Sequence, residues 1–177
     1  MTSDPPSWKQ SFPPSIRPDA RILILGSMPG EASLAAQQYY AHKRNAFWPI
    51  MAELFGFAVT LPYPQRLQKL LENRVGLWDV LAGCRRRGSL DTAILEPEPN
   101  DLAGLLQTHP QLRHIYCNGT AAMQFLRRYQ PGLTLPVTRL PSTSPAHAGM
   151  NFQQKLLHWR QITESASAAN NSSPESA

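Results

Sequence analysis

The segment Arg21-Ile-Leu-Ile-Leu-Gly26 is an unbroken apolar run closed by a glycine. A strand covered on both faces has no polar side to show, so it reads as a continuous run rather than an alternation. Three later segments read as further strands: 75–81 (VGLWDVL), 114–118 (HIYCN) and 137–140 (VTRL). Helical patterns fall between them. Phe47, Ile50, Met51, Leu54 and Phe55 recur at helical spacing over 47–55. Leu67, Leu70 and Leu71 share a face over 64–71, with Pro64 suited to the first turn. Asn100 is placed to cap a helix through Leu106, and Gly119-Thr120 opens another through Tyr129. Asn151 caps the last, which carries Phe152, Leu156, Trp159 and Ile162. Strands separated by helices of this length predict an α/β fold, a three-layer α/β/α sandwich around a central, mainly parallel four-stranded sheet.

At 177 residues the chain is one domain's worth, and 42% hydrophobic residues supply a real core. The expected single domain covers residues 1–164. It includes a proline-rich arm over 1–20, pinned by Trp8, Phe12 and Ile16. From Thr163 no large apolar residue remains, so 165–177 reads as a disordered tail. Cys84 and Cys117 are too few for a disulfide framework, a structural zinc site or a four-iron cluster. No cofactor and no metal are expected. The first eighteen residues lack the apolar core of a signal peptide, and no run is long enough to span a membrane. A cytoplasmic protein is expected, and nothing demands more than a monomer. Charge is uneven: residues 21–162 hold 15 Lys/Arg against 8 Asp/Glu, a net +7. A basic body suits a polyanionic partner.

In a sheet of this kind the site lies at the carboxyl ends of the strands. The first such loop, Gly26-Ser27-Met28-Pro29-Gly30, is tight enough to turn its amides toward an anion or a base edge. It equally suits an ordinary strand-to-helix turn, and it is neither a dinucleotide fingerprint nor a phosphate loop. Next comes Tyr39-Tyr40-Ala41-His42-Lys43-Arg44-Asn45-Ala46-Phe47-Trp48, an unusual mixture of stacking surfaces, cations and one carboxamide. Phe47 and Trp48 also fit the buried face of the following helix, and Asn45 fits its cap. The loop after the last strand reads Pro141-Ser142-Thr143-Ser144-Pro145-Ala146-His147-Ala148. Three hydroxyls between two prolines suit phosphate oxygens. Arg85-Arg86-Arg87 follows the second strand on the same side, where the three residues are expected to meet phosphates. Arg127-Arg128 reads rather as a solvated face.

These three motifs, in this order and spacing, resemble the uracil-DNA glycosylase superfamily over 21–162, most of all family six, the hypoxanthine-DNA glycosylases. The middle segment is also similar to the mismatch-specific branch, where a proline stands in place of Lys43. Most branches carry a water-activating Asp or Asn in the first motif. Here Ser27 and Met28 stand there, and neither can serve. In family six an Asn of the second segment takes the role, which the resemblance carries to Asn45. An amide oxygen that orients water suffices when the bond breaks through an oxocarbenium-like state.

The resemblance further implies that Tyr40 stacks on an extruded base, with Phe47 the alternative. It puts Asp79 where most branches have a base-reading Asn, and Asn118 with Gly26, Ser27 and Met28 around the same base. An ionised Asp79 accepts but does not donate. That suits N1–H of hypoxanthine; the other reading is a solvent-facing Asp at a strand end. Pro29, Lys43, Arg44, Arg85, Arg86, Arg87, Ser142, Thr143, Ser144, Pro145 and His147 are expected along the DNA. Pro145 and Ala146 are small beside the Leu that some branches insert. The implied activity is release of hypoxanthine from DNA by base flipping and hydrolysis. The alternatives are a uracil or G/U-mismatch glycosylase and a non-catalytic nucleic-acid-binding module. Double-stranded DNA carrying a deaminated base is the expected partner, with single-stranded DNA left open.

Overall fold

A computed structural model describes residues 4–167. After a short first strand, β1 (Trp8–Gln10), the chain enters β2 (Ile22–Gly26), which is buried along its whole length. The side chains of β2 divide between two cores. Ile22 and Ile24 join Phe47, Ile50 and Trp159 on one face, while Leu23 and Leu25 join Leu105, Ala122 and Leu126 on the other. That division is why the run is apolar at every position. Each of these fully buried aliphatic side chains contributes about 2 kcal/mol of transfer free energy.

From β2 the chain passes through α1 (Glu31–Ala36), α2 (Phe47–Phe55) and α3 (Tyr63–Glu72) to β3 (Val75–Asp79), then β4 (Leu81–Arg85) and β5 (Leu95–Pro99). It continues with α4 (Leu102–Thr108), β6 (His114–Asn118), α5 (Thr120–Tyr129) and β7 (Val137–Leu140), and ends with α6 (Phe152–Trp159) and α7 (Gln161–Ser167). The central sheet has the order β3-β2-β6-β7 with every pairing parallel. Helices α2, α3, α6 and α7 pack on one face, α4 and α5 on the other. The three-layer α/β/α sandwich and its four parallel strands are those expected from the sequence.

Several boundaries differ, each for a physical reason. The run 75–81 is two strands. After Asp79 the chain turns at Val80, whose N–H donates to the Gly26 carbonyl, and Leu81 begins β4. A second, antiparallel sheet of order β1-β4-β5 results. β5 reads LEPEP, and two prolines with two acids hide a strand that survives because it lies at an edge. Asp101, not Asn100, caps α4 by accepting from Gly104 N–H; Asn100 instead donates to the Asp79 carbonyl at 2.8 Å. Asn151 does cap α6, in a reciprocal box with Gln154.

The expected start of the tail at 165 falls inside α7. Ala166 is buried there, and Ser165 Oγ lies 2.5 Å from Tyr116 Oη. Small residues mimic disorder in sequence yet pack where a core needs little volume. Residues 168–177, the rest of that segment, lie outside the described residues. The arm is not all extended coil either, since it supplies β1, and Phe12 enters the core.

Candidate active site

The four parallel strands end at one cleft of about 450 Å³, floored by Gly26, Asp79, Tyr40 and Asn118. Gly26 makes the floor possible. A Cβ there would lie 2.5 Å from Asp79 Oδ1 and 3.2 Å from Tyr40 Oη, so only glycine lets both side chains lean over the strand end. Tyr40 is placed by a left-handed backbone (φ 56°), an uncommon conformation for a bulky residue and one that tends to persist at functional sites. Its ring stacks on Phe47 with centroids 4.0 Å apart.

Asp79 is not solvent-facing. It is 4% exposed, its Oδ2 has no hydrogen-bond partner, and its pKa is pushed up to about 7. Burial is the main cause and the nearby Asp91 carboxylate adds to it, while the Arg86 guanidinium pulls the other way. Near neutrality the floor therefore holds a carboxyl group poised between acceptor and donor. The Tyr40 hydroxyl is raised far above its ordinary value, by burial first and by Asp79 second, so it stays protonated. The Asn118 carboxamide lies close enough to act on that hydroxyl but not in hydrogen-bond geometry.

Asn118 itself is engaged. Its Oδ1 accepts from Thr143 N–H at 3.0 Å and its Nδ2 donates to Thr143 Oγ1 at 2.9 Å. This pair ties the end of β6 to the 141–148 loop. The Thr143 carbonyl in turn accepts from Ala46 N–H, linking that loop to the start of α2.

Asn45 stands on the cleft wall beside His42. Its Oδ1 accepts from Phe47 N–H at 2.9 Å, the bond of a helix cap, although Ala46 is the residue at the formal cap position. The two readings of Asn45 are compatible. An amide oxygen has two lone pairs, so one can hold the helix while the other faces a water. His42 Nδ1 accepts from Arg44 N–H at 3.1 Å, which assigns the proton of the neutral ring to Nε2.

Other expected site residues separate. Met28, Ser27, Pro29, Ser142, Ser144 and Pro145 do border the cleft. Phe47 is fully buried behind Tyr40, so it backs the stacking ring and cannot itself meet a base. Thr143, at 1% exposed, positions Asn118 rather than a phosphate. Lys43, Arg44 and His147 lie outside the cleft lining, on its approaches.

The arginine triplet corrects the sequence reading most. Arg86 is 1% exposed and donates to the Pro29 carbonyl under the first loop. Arg85 pairs with Glu96 at 2.7 Å and reaches the Pro6 carbonyl, and Arg87 donates to the Asp4 carbonyl. β4 ends at Arg85 and the three side chains are engaged by different partners, so they do not present one row of free guanidinium groups to a phosphate path. The last wall, Ser89-Leu90-Asp91, carries no signal in the residue types alone. Ser27 Oγ donates to Asp91 Oδ1 at 2.5 Å and Ser89 Oγ accepts from Glu31 N–H at 2.8 Å, closing this loop over the first one. Among the described residues, no group of three or more His, Cys, Asp and Glu could hold a metal ion. No helix among them is long and apolar enough to cross a membrane.

This geometry agrees with what the chain resembles. The model of the "Uracil DNA glycosylase superfamily" matches residues 13–165. The chain belongs to that superfamily. A hypoxanthine DNA glycosylase of Methanosarcina acetivorans is 38% identical over 143 residues, covering 78% of this chain and 88% of its own. Another of that name, from Methanosarcina barkeri, is 38% identical over 118 residues, 66% of this chain and 75% of its own. A solution NMR structure of a candidate uracil DNA glycosylase from M. acetivorans superposes with a TM-score of 0.75 at 34% identity. It covers 88% of this chain and 99% of that one.

Proposed function

We propose that this protein is a monofunctional DNA glycosylase that excises hypoxanthine, the deamination product of adenine, from double-stranded DNA. The observation that carries the reading is Asp79, a buried carboxyl group with a free oxygen on the floor of a base-sized cleft. Its ionised form accepts N1–H of hypoxanthine. Adenine has a lone pair at N1, so two acceptors would face each other and the undamaged base is rejected. The curated relatives of that name support the same substrate.

Duplex DNA is too wide for the cleft, so the nucleotide swings out and the base alone enters. Tyr40 stacks on it, and Phe47 keeps the ring from yielding. The N-glycosidic bond breaks with its electron pair leaving on the purine, and the sugar gains oxocarbenium character. Water held by the Asn45 amide oxygen adds to C1′; it loses a proton to solvent as the departing base gains one. An abasic site remains, and no lysine intermediate forms. Lys43, Arg44, Ser142 and Ser144 sit where the flanking phosphates pass. The protein acts as a monomer on the chromosome in the cytoplasm.

The test is incubation with labelled duplexes bearing inosine, uracil or xanthine, followed by alkali. Strand breaks at inosine support the assignment. Breaks at uracil alone favour a uracil glycosylase, and salt-sensitive binding without any break favours a binding module.

A further inference from the structure

We propose that Leu90 is the wedge that opens the base stack. Of the six large apolar side chains exposed among the described residues, Leu90 is the one that borders the cleft, and it is 59% exposed. It does not hang on a loose loop. Gly88 turns the chain with a left-handed φ of 71°, and the residues on either side of Leu90 are both fastened. Ser89 Oγ holds Glu31 N–H, and Asp91 holds the Ser27 hydroxyl. The Leu90 carbonyl itself accepts from Ala93 N–H. A rigid backbone thus presents an apolar side chain to solvent at the mouth of a site, where it gains nothing for folding.

The 141–148 loop offers no equivalent. Its residues at the mouth, Ser142, Ser144, Pro145 and Ala146, are small. Removing a nucleotide from the stack leaves a gap that its neighbours close unless an apolar group fills it. The isobutyl group of Leu90 has the size and exposure to do so, and its anchored backbone means that little order is lost on entry.

This proposal rests on the excision reading, so the test reads stack opening separately from base release. A duplex with inosine opposite cytosine, and 2-aminopurine as the neighbouring base, is titrated with the wild type and with Leu90→Ala. Wild type should raise the 2-aminopurine fluorescence severalfold, whereas Leu90→Ala should leave it near that of free duplex. Single-turnover release of hypoxanthine should fall about tenfold or more. With inosine opposite an abasic site, where no pair must be broken, the variant should release base within about twofold of wild type. Leu90→Phe, still apolar and large, should restore the fluorescence. Equal fluorescence for wild type and Leu90→Ala overturns the wedge. So does a loss of release as deep on the unpaired lesion as on the paired one. A wild type that opens the stack at inosine through Leu90 but releases no hypoxanthine supports the wedge and overturns the excision reading.

Discussion

The floor and the rim of the cleft are built on opposite principles. On the floor, Asp79 and Tyr40 are withdrawn from water and their proton affinities are displaced by burial. On the rim, Lys43, Arg44 and Leu90 are exposed to solvent and Ser144 is half-buried. Between the two, Asn45 is fixed by the first turn of α2. The floor is a place for discrimination, because a mispaired polar group has no water to fall back on. The rim is a place for affinity, graded and screened by salt. If this division holds, floor and wall substitutions change rates and pH profiles at nearly constant DNA affinity, and rim substitutions do the reverse.

The largest expected effect is on the wall. Asn45→Ala should lower single-turnover base release about a hundredfold or more while duplex affinity stays within about twofold. Full activity in that variant would reduce Asn45 to a helix cap and break the division at its centre.

Next is the pH dependence of Asp79. If the ionised form reads the base, release should rise with pH through about 7 in the wild type. Arg86→Met removes the nearby positive charge and should move that limb to higher pH. Asp91→Asn removes a negative charge and should move it lower. A limb that stays in place in both variants would mean that Asp79 is not the group being titrated.

The same carboxyl has a stability consequence of opposite sense. Its folded pKa lies above that of an unfolded aspartate, so ionisation opposes folding. The penalty is absent below about pH 4, grows as pH rises and is complete above about 7, where it reaches roughly 4 kcal/mol. Asp79→Asn should therefore melt above the wild type at pH 8, with the gap closing toward pH 4. A gap that does not change with pH would show that the side chain is wetter than its burial implies.

The smallest effects belong to the rim. Lys43→Ala and Arg44→Ala should each weaken duplex binding modestly and reduce the slope of log K against log salt by about 1. Arg86→Met should leave that slope unchanged. Equal slopes for all three would erase the distinction between exposed and buried basic side chains.

The central sheet was legible because β2 is an unbroken apolar run and the short segments of β3, β6 and β7 fall between helical patterns, and α2 and α6 announce themselves by periodicity and by the Asn151 cap. The small antiparallel sheet was hidden. Its strands are held by Gly83, which a Cβ would drive into Trp8, and by the proline-rich edge of β5. Residue types alone do not reveal such close approaches. In the site, Gly26, Tyr40, Asn45 and Asp79 carry unusual chemistry in sequence and do converge. Ser89, Leu90 and Asp91 are ordinary loop residues whose importance lies in what folds against them. The arginine triplet misled for the converse reason. Charge is visible in sequence, but its partners, two of them carbonyls of the N-terminal arm, are not.

Those two carbonyls turn the arm into part of the protein's charge arrangement. Asp4 and Pro6 occupy guanidinium donors of Arg87 and Arg85. Trimming the chain to begin at Ser7 would release these donors to other acceptors. A shortened protein should then bind undamaged DNA more tightly and with a steeper dependence on salt. Searching for rare lesions among many intact sites favours a weaker hold, and the six residues before Ser7 help to set it.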